Sequence, residues 1–362
     1  MNVPSEKVAS LRTISLFELE SGSISERDLL LQTCTEDGFF YLDLTHPSYS
    51  TLLNDVESIF NVSESLFNYA PEIKSLFDVD KISDLKVNGY KPKGRNFVTK
   101  DKRDGFETWV MRIHWTALNF SSFHVTGFFN SRMPRFHTPP LIASHLDSLH
   151  GVVQGLCSAA HLIFSSLSAS LSLPVGQRFE DFQGLSRPSP DILRLLKYHA
   201  DADTSCQPHV PHTDIGSLTF VFSSAPGLKV LPRGVLSKNQ DQEPSSLPWQ
   251  YVAPRPGHAV VNVGDCLSLL TNGLLKSALH CVGPVEGRPM DERYSIAYLM
   301  RPEDRTVLRT LDSPKIPQPA PGQEDPITSG EWIRRKFKAL RGGRGDGNSI
   351  DHILTGGRGV VS

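Results

Sequence analysis

The side chains of this chain best suited to chemistry are two histidines and an aspartate. His212 and Asp214 are two positions apart, and in an extended segment residues at this spacing point to the same side of the chain. His280 follows in the apolar, strand-like run 278–282, where an imidazole needs a partner. Two histidines and one carboxylate suit non-haem Fe(II), because they leave coordination positions open for a co-substrate and O2. The His-x-Asp tripeptide alone is a weak signal, since a capping aspartate beside a surface histidine gives the same letters.

A second polar pair follows His280. Arg293 and Ser295 lie in a predicted strand and, two positions apart, share one of its faces. A guanidinium fork beside a hydroxyl can bind one carboxylate. Anchoring the distal carboxylate of a 2-oxo diacid requires such a pair.

Other histidines compete for the role of metal ligand. His209 stands three positions before His212, but this spacing suits a helix, and Pro208 and Pro211 disfavour a helix here. His199 and His258 are solitary, and the rest of the 13 histidines form no ligand set that we recognise. The pattern therefore favours His212 over His209.

The secondary-structure elements that must position these groups follow two different patterns along the chain. Up to about residue 185, the pattern predicts strands at 13–17 and 38–42 and helices at 25–35, 49–76 with a break near Pro71, and 139–171. Beyond it, short β-rich runs separated by Gly, Pro and Asn favour a jelly roll. These runs are 193–199, 218–222, 228–231, 249–252, 259–263, 266–270, 278–282 and 294–300. We expect a solvated loop at 237–248 and a final helix at 330–340.

Composition limits the kind of partner. The 362 residues carry a formal net charge of −2, which argues against capture of nucleic acid or of an acidic membrane. The five cysteines form no CxxC pair, so we expect reduced thiols and a cytoplasmic protein. We expect no membrane-spanning segment and a small-molecule partner, and the sequence leaves the oligomeric state open.

Taken together, these motifs resemble the Fe(II)/2-oxoglutarate-dependent oxygenases of the isopenicillin N synthase-like branch. The resemblance rests on His-x-Asp, the distal His280, Arg-x-Ser and the runs 261–265 (VNVGD) and 270–273 (LTNG). The element 37–40 (DGFF), the Gly89-Tyr90 loop and the long helix also look like the region that precedes the catalytic barrel in that family. The likeness is strongest to members that tailor natural products.

The resemblance implies a fold and a domain division. The fold is mainly β with α: a double-stranded β-helix (jelly-roll) core with an N-terminal helical scaffold and a C-terminal helix. The expected divisions are an α/β scaffold at 1–185, the oxygenase core at 186–305 and a C-terminal extension at 306–362.

The resemblance also implies an activity. It is that of a dioxygenase that oxidises an unactivated C–H bond of a small molecule, expected to be a secondary metabolite, by hydroxylation, desaturation or ring rearrangement, with release of succinate and CO2. Fe(II), 2-oxoglutarate and O2 are the expected cofactors, and ascorbate could act as a supporting reductant. His212, Asp214 and His280 would bind iron.

By the same resemblance, Arg293 and Ser295 would bind the C5 carboxylate of 2-oxoglutarate, and Tyr198 would donate a hydrogen bond to it. A tyrosine that only packs in the barrel is an equal alternative for Tyr198. One departure is Cys281, where the family usually has arginine directly after the distal histidine. Its side chain is expected to face away from that of His280.

Three further residues are predicted to contact substrate. Leu299 and Arg301 continue the strand face of Arg293 and Ser295, so Leu299 would line the pocket and Arg301 would stand at its mouth. A surface position at the end of the strand is the alternative for Arg301. Tyr90 and the aromatic residues of 106–115 would supply the other wall.

Three rival functions stay open at this point. The first is an iron-dependent oxidase of the same fold that does not use 2-oxoglutarate, since Arg-x-Ser occurs in such enzymes too. The second is a non-catalytic jelly-roll binding protein, which predicts a damaged ligand set. The third is a zinc-dependent hydrolase, which leaves Arg293 and Ser295 without a role.

Overall fold

The computed structural model describes residues 7–82, 88–96, 103–113, 139–183, 190–200, 206–207, 209–231, 247–284, 290–320 and 326–341. The strands are β1 (Thr13–Ser15), β2 (Phe39–Asp43), β3 (Gly89–Lys91), β4 (Arg103–Asp104), β5 (Phe106–Arg112), β6 (Ile192–Tyr198), β7 (Cys206–Gln207), β8 (His209–His212), β9 (Leu218–Ser223), β10 (Leu228–Val230), β11 (Gln250–Tyr251), β12 (His258–Val263), β13 (His280–Val282), β14 (Arg293–Leu299), β15 (Val307–Leu308) and β16 (Ile327–Thr328).

The helices are α1 (Leu16–Glu20), α2 (Ile24–Glu36), α3 (Ser50–Phe67), α4 (Pro71–Ser75), α5 (Val79–Ile82), α6 (Pro140–Ala143), α7 (Leu146–Ser170), α8 (Asp265–Leu270) and α9 (Ser329–Arg341). Most of the predicted loop 237–248, the predicted division at 185 and the tail beyond 341 lie outside the described residues.

Two largely antiparallel sheets build the core. The larger sheet has the order β1-β2-β12-β9-β14-β6-β5-β3, and the smaller has the order β11-β10-β13-β8. An apolar cluster with members from both sheets fills the space between them; these members include Phe39, Tyr41, Phe106, Leu196, Tyr198, Leu228, Val230, Val260, Val282 and Leu299. We call this space the barrel interior. The arrangement confirms the predicted jelly-roll core.

The other face of the large sheet carries the helical scaffold. Leu195, Phe220 and Tyr298 alternate with the inward-facing residues and join the larger apolar cluster with α2, α3 and α7. By length and composition α7 could cross a membrane, but it packs into this cluster and contacts α3 most extensively. It is the central helix of the scaffold.

Three predicted elements differ from those observed. The run 266–270 is the helix α8, not a strand, because a short apolar run fits either element, and Asp265 in the first turn favours a helix start. The strand predicted at 13–17 ends at Ser15, whose hydroxyl accepts from the amide of Glu18 and begins α1. The helix predicted at 139–171 is split into α6 and α7.

Gly38 turns the chain from α2 into the barrel. Its φ of +70° closes the helix, and its amide donates to the carbonyl of Thr33. A Cβ at this position would lie 2.0 Å from the carbonyl oxygen of Lys276, so only glycine fits. The turn places Phe39 in the barrel interior.

Candidate metal centre

Three side chains converge where the loop after β8 meets β13. His212 ends β8 and pairs across the sheet with His280. The Nε2 atoms of both histidines lie 3.9 Å from Oδ1 of Asp214, and all three candidate ligand atoms are within 4.8 Å of one another. The three residues are only 7–8% exposed. Two imidazole nitrogens and one carboxylate oxygen fit the ligand set of a non-haem Fe(II) centre.

Neighbouring groups orient the candidate ligands. The side-chain amide of Asn262 donates to Oδ2 of Asp214 at 2.8 Å, so Oδ1 is the oxygen that faces the histidines. Nδ1 of His280 lies 3.1 Å from the carbonyl oxygen of Ala278. A hydrogen bond there places the ring proton on Nδ1 and leaves Nε2 able to bind a metal.

The charge of Asp214 suits a metal ligand. Burial alone would raise its pKa, but His280, His212 and hydrogen bonds from Asn262 and Thr219 hold the pKa of this carboxyl well below its usual range. Asp214 is therefore a carboxylate at every physiological pH.

A buried ion pair ties the C-terminal helix to this loop. Lys336 of α9 is fully buried, and its Nζ donates to the hydroxyl of Thr213 at 2.7 Å and to the carboxylate of Asp265. Ser277 donates to the other oxygen of Asp265 at 2.8 Å. Thr213 stands between two candidate ligands, so α9 helps to position them.

The backbone before α8 also supports the loop. The amide of Asp265 donates to the carbonyl of Asp214 at 2.8 Å, and that of Cys266 donates to the carbonyl of Gly216 at 2.9 Å. A Cβ on Gly264 would lie 2.2 Å from the carbonyl oxygen of Gly216. Gly264 therefore allows the two backbones to approach each other.

The second predicted site lies further along the barrel interior. Arg293 is 2% exposed; its Nε donates to the carbonyl of Ala225 at 3.0 Å and its Nη2 donates to the hydroxyl of Ser223 at 2.6 Å. Ser295 is opposite Ser223 in the sheet, with 3.3 Å between the hydroxyl oxygens. The guanidinium lies 5.0 Å from the ring centre of Tyr198, its cross-strand partner. The structure thus brings Arg293, Ser295 and Tyr198 together.

Sequence reasoning missed several neighbours of these two sites. Ser223 escaped notice because a serine at a strand end carries no signal alone, and Asn262 was considered only as part of the run 261–265 that carries the resemblance. Phe39 packs edge-on against His280 with ring centres 5.3 Å apart, although the sequence marked it only as part of a strand. Lys336 had a usable signal, because it lies three positions after buried Ile333 on the buried face of α9.

The residues predicted to contact substrate lie in different parts of the structure. Leu299 lies in the barrel interior, opposite Thr219, a residue that hydrogen-bonds Asp214. Tyr90 lies on the other face of the sheet, packs with Trp109 and donates its hydroxyl to Glu107. Its register with Trp109 turns it away from the interior, which argues against the predicted contact with substrate.

Arg301 is 2% exposed and lies beneath α9, so the predicted position at an open mouth needs correction. Its Nη1 donates to the carbonyl of Pro190 at 3.0 Å, and its guanidinium lies 5.2 Å from the ring centre of Phe337. The strand alternation was extended two residues too far, since β14 ends at Leu299.

The competing histidines lie apart from the triad or outside the description. Nε2 of His199 is 2.9 Å from a carboxylate oxygen of Glu107, and Nδ1 of His258 is 2.8 Å from the carbonyl oxygen of Pro256. The side chain of His209 lies outside the described residues.

Cys281 is buried, and burial raises the pKa of its thiol to about 12.

Comparison with known proteins identifies the family. Residues 190–302 match the model of the 2OG-Fe(II) oxygenase superfamily. Over 350 residues the chain is 30% identical to a 2-oxoglutarate-dependent dioxygenase, gloE, of Glarea lozoyensis, covering 96% of this chain and 92% of the relative. The chain belongs to the Fe(II)/2-oxoglutarate-dependent dioxygenases. A second dioxygenase of this kind, from Gibberella zeae, is 28% identical over 91% of the chain and 88% of the relative.

Solved dioxygenase structures share the fold. A full-length Neurospora crassa protein in complex with alpha-KG superposes with a TM-score of 0.69 at 19% identity, over 92% of this chain and 98% of that one. A 2OG-Fe(II) oxygenase family protein of Caulobacter crescentus has a TM-score of 0.68 at 21% identity, over 92% of this chain and 100% of that one. These structures confirm the predicted fold, and the family match with the relatives confirms the enzyme class and its use of Fe(II), 2-oxoglutarate and O2. Another structure of the Neurospora crassa protein holds thymine together with alpha-KG.

Proposed function

We propose that this dioxygenase binds Fe(II) through His212, Asp214 and His280. Support comes from the convergence of three oriented donor atoms, with Oδ2 of Asp214 occupied by Asn262 and Nδ1 of His280 by Ala278. Arg293, with Ser295, Ser223 and Tyr198, would bind the C5 carboxylate of 2-oxoglutarate. The buried guanidinium facing the same interior as the triad carries the proposal.

Iron and 2-oxoglutarate, when bound, would supply the O2-derived oxidant while succinate and CO2 are released. The residues of the chain would bind the C5 carboxylate of the co-substrate and exclude water. The apolar cluster of the interior, including Leu299 and Phe106, would position one C–H bond of the substrate. Hydroxylation, desaturation or ring rearrangement of a secondary metabolite is the outcome that we propose, as the resemblance to natural-product tailoring members implies.

We further propose that the catalytic unit comprises the scaffold at 1–185, the core at 186–305 and the extension at 306–362, acting together in the cytoplasm. Burial of Lys336 against Thr213 supports counting the extension with the core. The free, buried thiols of Cys34, Cys157, Cys266 and Cys281 fit a reducing compartment.

Succinate formation tests this function. Protein reconstituted with Fe(II) under anaerobic conditions should convert 2-oxoglutarate to succinate when O2 is admitted, and His280→Ala should abolish this conversion. Asp28→Ala, on the exposed face of α2, is the matched control. Substrate oxidation without succinate would favour the oxidase alternative, and activity restored by Zn(II) alone would favour the hydrolase.

A further inference from the structure

Arg194 is a charged side chain in the barrel interior that the proposed function leaves unused. It lies on β6, on the same face as Leu196 and Tyr198, which both belong to the interior cluster. Its neighbours across the sheet are Val110 of β5 and Ala297 of β14. Ala297 lies between Ser295 and Leu299 on the inward face of β14, and Leu299 is opposite Thr219, which hydrogen-bonds Asp214. Arg194 is therefore nearer than Ser295 to the end of β14 that approaches the metal centre.

The guanidinium of Arg194 has no hydrogen-bond partner among the described residues. Its Nε is buried and donates to no acceptor in the described part of the chain. The residue as a whole keeps partial exposure, although its strand is otherwise buried. An arginine in this state costs free energy unless a ligand supplies the missing acceptor.

The nearby carboxylates already have a cation or a donor, although Oδ1 of Asp104 is buried without a hydrogen-bond partner in the described residues. Asp104 pairs with Lys91 at 2.6 Å, and Asp214 accepts from Asn262 and faces the two histidines. Burial lowers the pKa of Arg194, opposed by the negative charges of Asp214 and Asp104. An arginine nevertheless stays protonated, because its reference pKa lies above 12.

The formal charges of the proposed metal centre, the co-substrate and the neighbouring side chains sum to one excess positive charge. Fe(II) with Asp214, and doubly charged 2-oxoglutarate with Arg293, would together be neutral. The pair of Lys91 and Asp104 is neutral by itself. Among the described residues, Arg194 remains without a counter-charge of its own, on the β5–β6 side of the interior.

We propose that Arg194 binds the carboxylate of an acidic substrate and so selects for monoanionic small molecules. This inference rests on the proposed function, because the carboxylates of 2-oxoglutarate are assigned to iron and Arg293. The planar guanidinium offers two parallel N–H donors, and a carboxylate can accept both. A primary amide carries no negative charge, so its interaction with the guanidinium should be weaker.

Anaerobic enzyme loaded with Fe(II) and 2-oxoglutarate provides the test, with the absorption band of the iron complex as readout. Acetate, hexanoate and benzoate are titrated, each beside its primary amide. We expect at least one acid to perturb the band with an affinity about 10- to 100-fold higher than that of its amide. Arg194→Gln should remove this preference, and Arg194→Lys should retain part of it.

Lys197→Gln is the matched control, since Lys197 lies on the same strand and pairs with Glu292 on its other face. It should behave as wild type. Equal affinity for acid and amide in the wild-type enzyme, including no response to either, would overturn the inference, and this comparison does not depend on the folding of a variant. A loss of 2-oxoglutarate affinity in Arg194→Gln as large as in Arg293→Gln would also overturn it, because the co-substrate would then be the ligand. If the wild-type band never forms, the proposed function itself fails.

Discussion

The two polar regions of the barrel interior differ in how far protein partners satisfy them. At the metal end, the carboxylate of Asp265 accepts from Lys336 and Ser277, and Asp214 accepts from Asn262. On the β5–β6 side, Nε of Arg194 and Oδ1 of Asp104 are buried without a hydrogen-bond partner in the described residues. The carboxylates of Asp214 and Asp265 are therefore held by the protein before any ligand binds, whereas we infer that a ligand completes the β5–β6 side.

This difference suggests that the two regions serve different purposes, the chemistry common to the family and the choice of substrate by this member. A fully satisfied network holds ligands in one geometry. Buried polar atoms without partners are uncommon in folded proteins and call for an explanation. We infer that the satisfied region serves the common chemistry and the unsatisfied region serves substrate choice.

The largest effect is expected from breaking the satisfied region. Lys336→Met leaves the carboxylate of Asp265 buried without its cation, which should lower the free energy of unfolding by about 3–5 kcal/mol. Urea unfolding checks this value. Iron affinity should fall as well, because Thr213 loses the donor that fixes it between two candidate ligands.

Two variants sharpen this prediction. Lys338→Met, on the exposed face of α9, should leave stability and iron affinity unchanged. Lys336→Met combined with Asp265→Asn should recover part of the lost stability, since no buried charge then remains. Unchanged iron affinity in Lys336→Met would show that α9 contributes stability only.

Glu107, on the outer face of the sheet, is a second buried carboxylate whose partners are all supplied by the protein, namely Lys74, Tyr90 and His199. Burial would raise its pKa, but His199, Lys74 and Tyr90 lower it to about 2 from an ordinary value of 4.5. The folded state thus prefers the carboxylate, so its contribution is complete above pH 4.5 and is lost as the pH falls toward 2. The loss should amount to roughly 2–3 kcal/mol. Unfolding measured across this pH window should show this loss in wild type and lack it in Glu107→Gln.

Arg293 should respond as a binding residue rather than as a structural one. Arg293→Gln should raise the KM for 2-oxoglutarate about 10- to 100-fold, because charge-assisted hydrogen bonds to the carboxylate are lost. The KM for the organic substrate should change little. Arg305→Gln, whose side chain is 88% exposed, is the control. Equal increases in both KM values would instead point to general disruption of the interior.

The smallest effect is expected at Tyr90. Tyr90→Phe removes one hydrogen bond to Glu107 and should lower the free energy of unfolding by about 1 kcal/mol. Because the ring lies on the outer face, the KM values for 2-oxoglutarate and substrate should match those of wild type. A specific rise in the substrate KM would restore the role predicted from the sequence.

Strand period and motif spacing were enough to predict the jelly roll and to select side chains that the structure brings together, at the triad and around Arg293 and Ser295. Two-residue spacing determines which side chains share a strand face, and this fact does not depend on tertiary detail. It also put Leu299 in the interior correctly. It was misleading at Arg301, because the strand ends two residues earlier.

The remaining features depend on contacts between distant segments. The pairing of Lys336 with Asp265 joins the C-terminal helix to α8, and a periodicity argument cannot join them. The run 266–270 was mistaken for a strand for a similar reason, since its helix is stabilised by contacts of Asp265. Arg194 was passed over because only the packed barrel shows that this cation lacks a hydrogen-bond partner among the described residues.

Iron binding by Asp214 is the most direct test of the account. Wild-type protein, its Asp214→Ala variant and the Asp28→Ala control are titrated with Fe(II) and 2-oxoglutarate under anaerobic conditions, and the absorption band of the complex is followed. The account predicts one iron per chain for wild type and control, and neither iron nor band for Asp214→Ala. A variant that retains both would contradict the assignment of the metal centre.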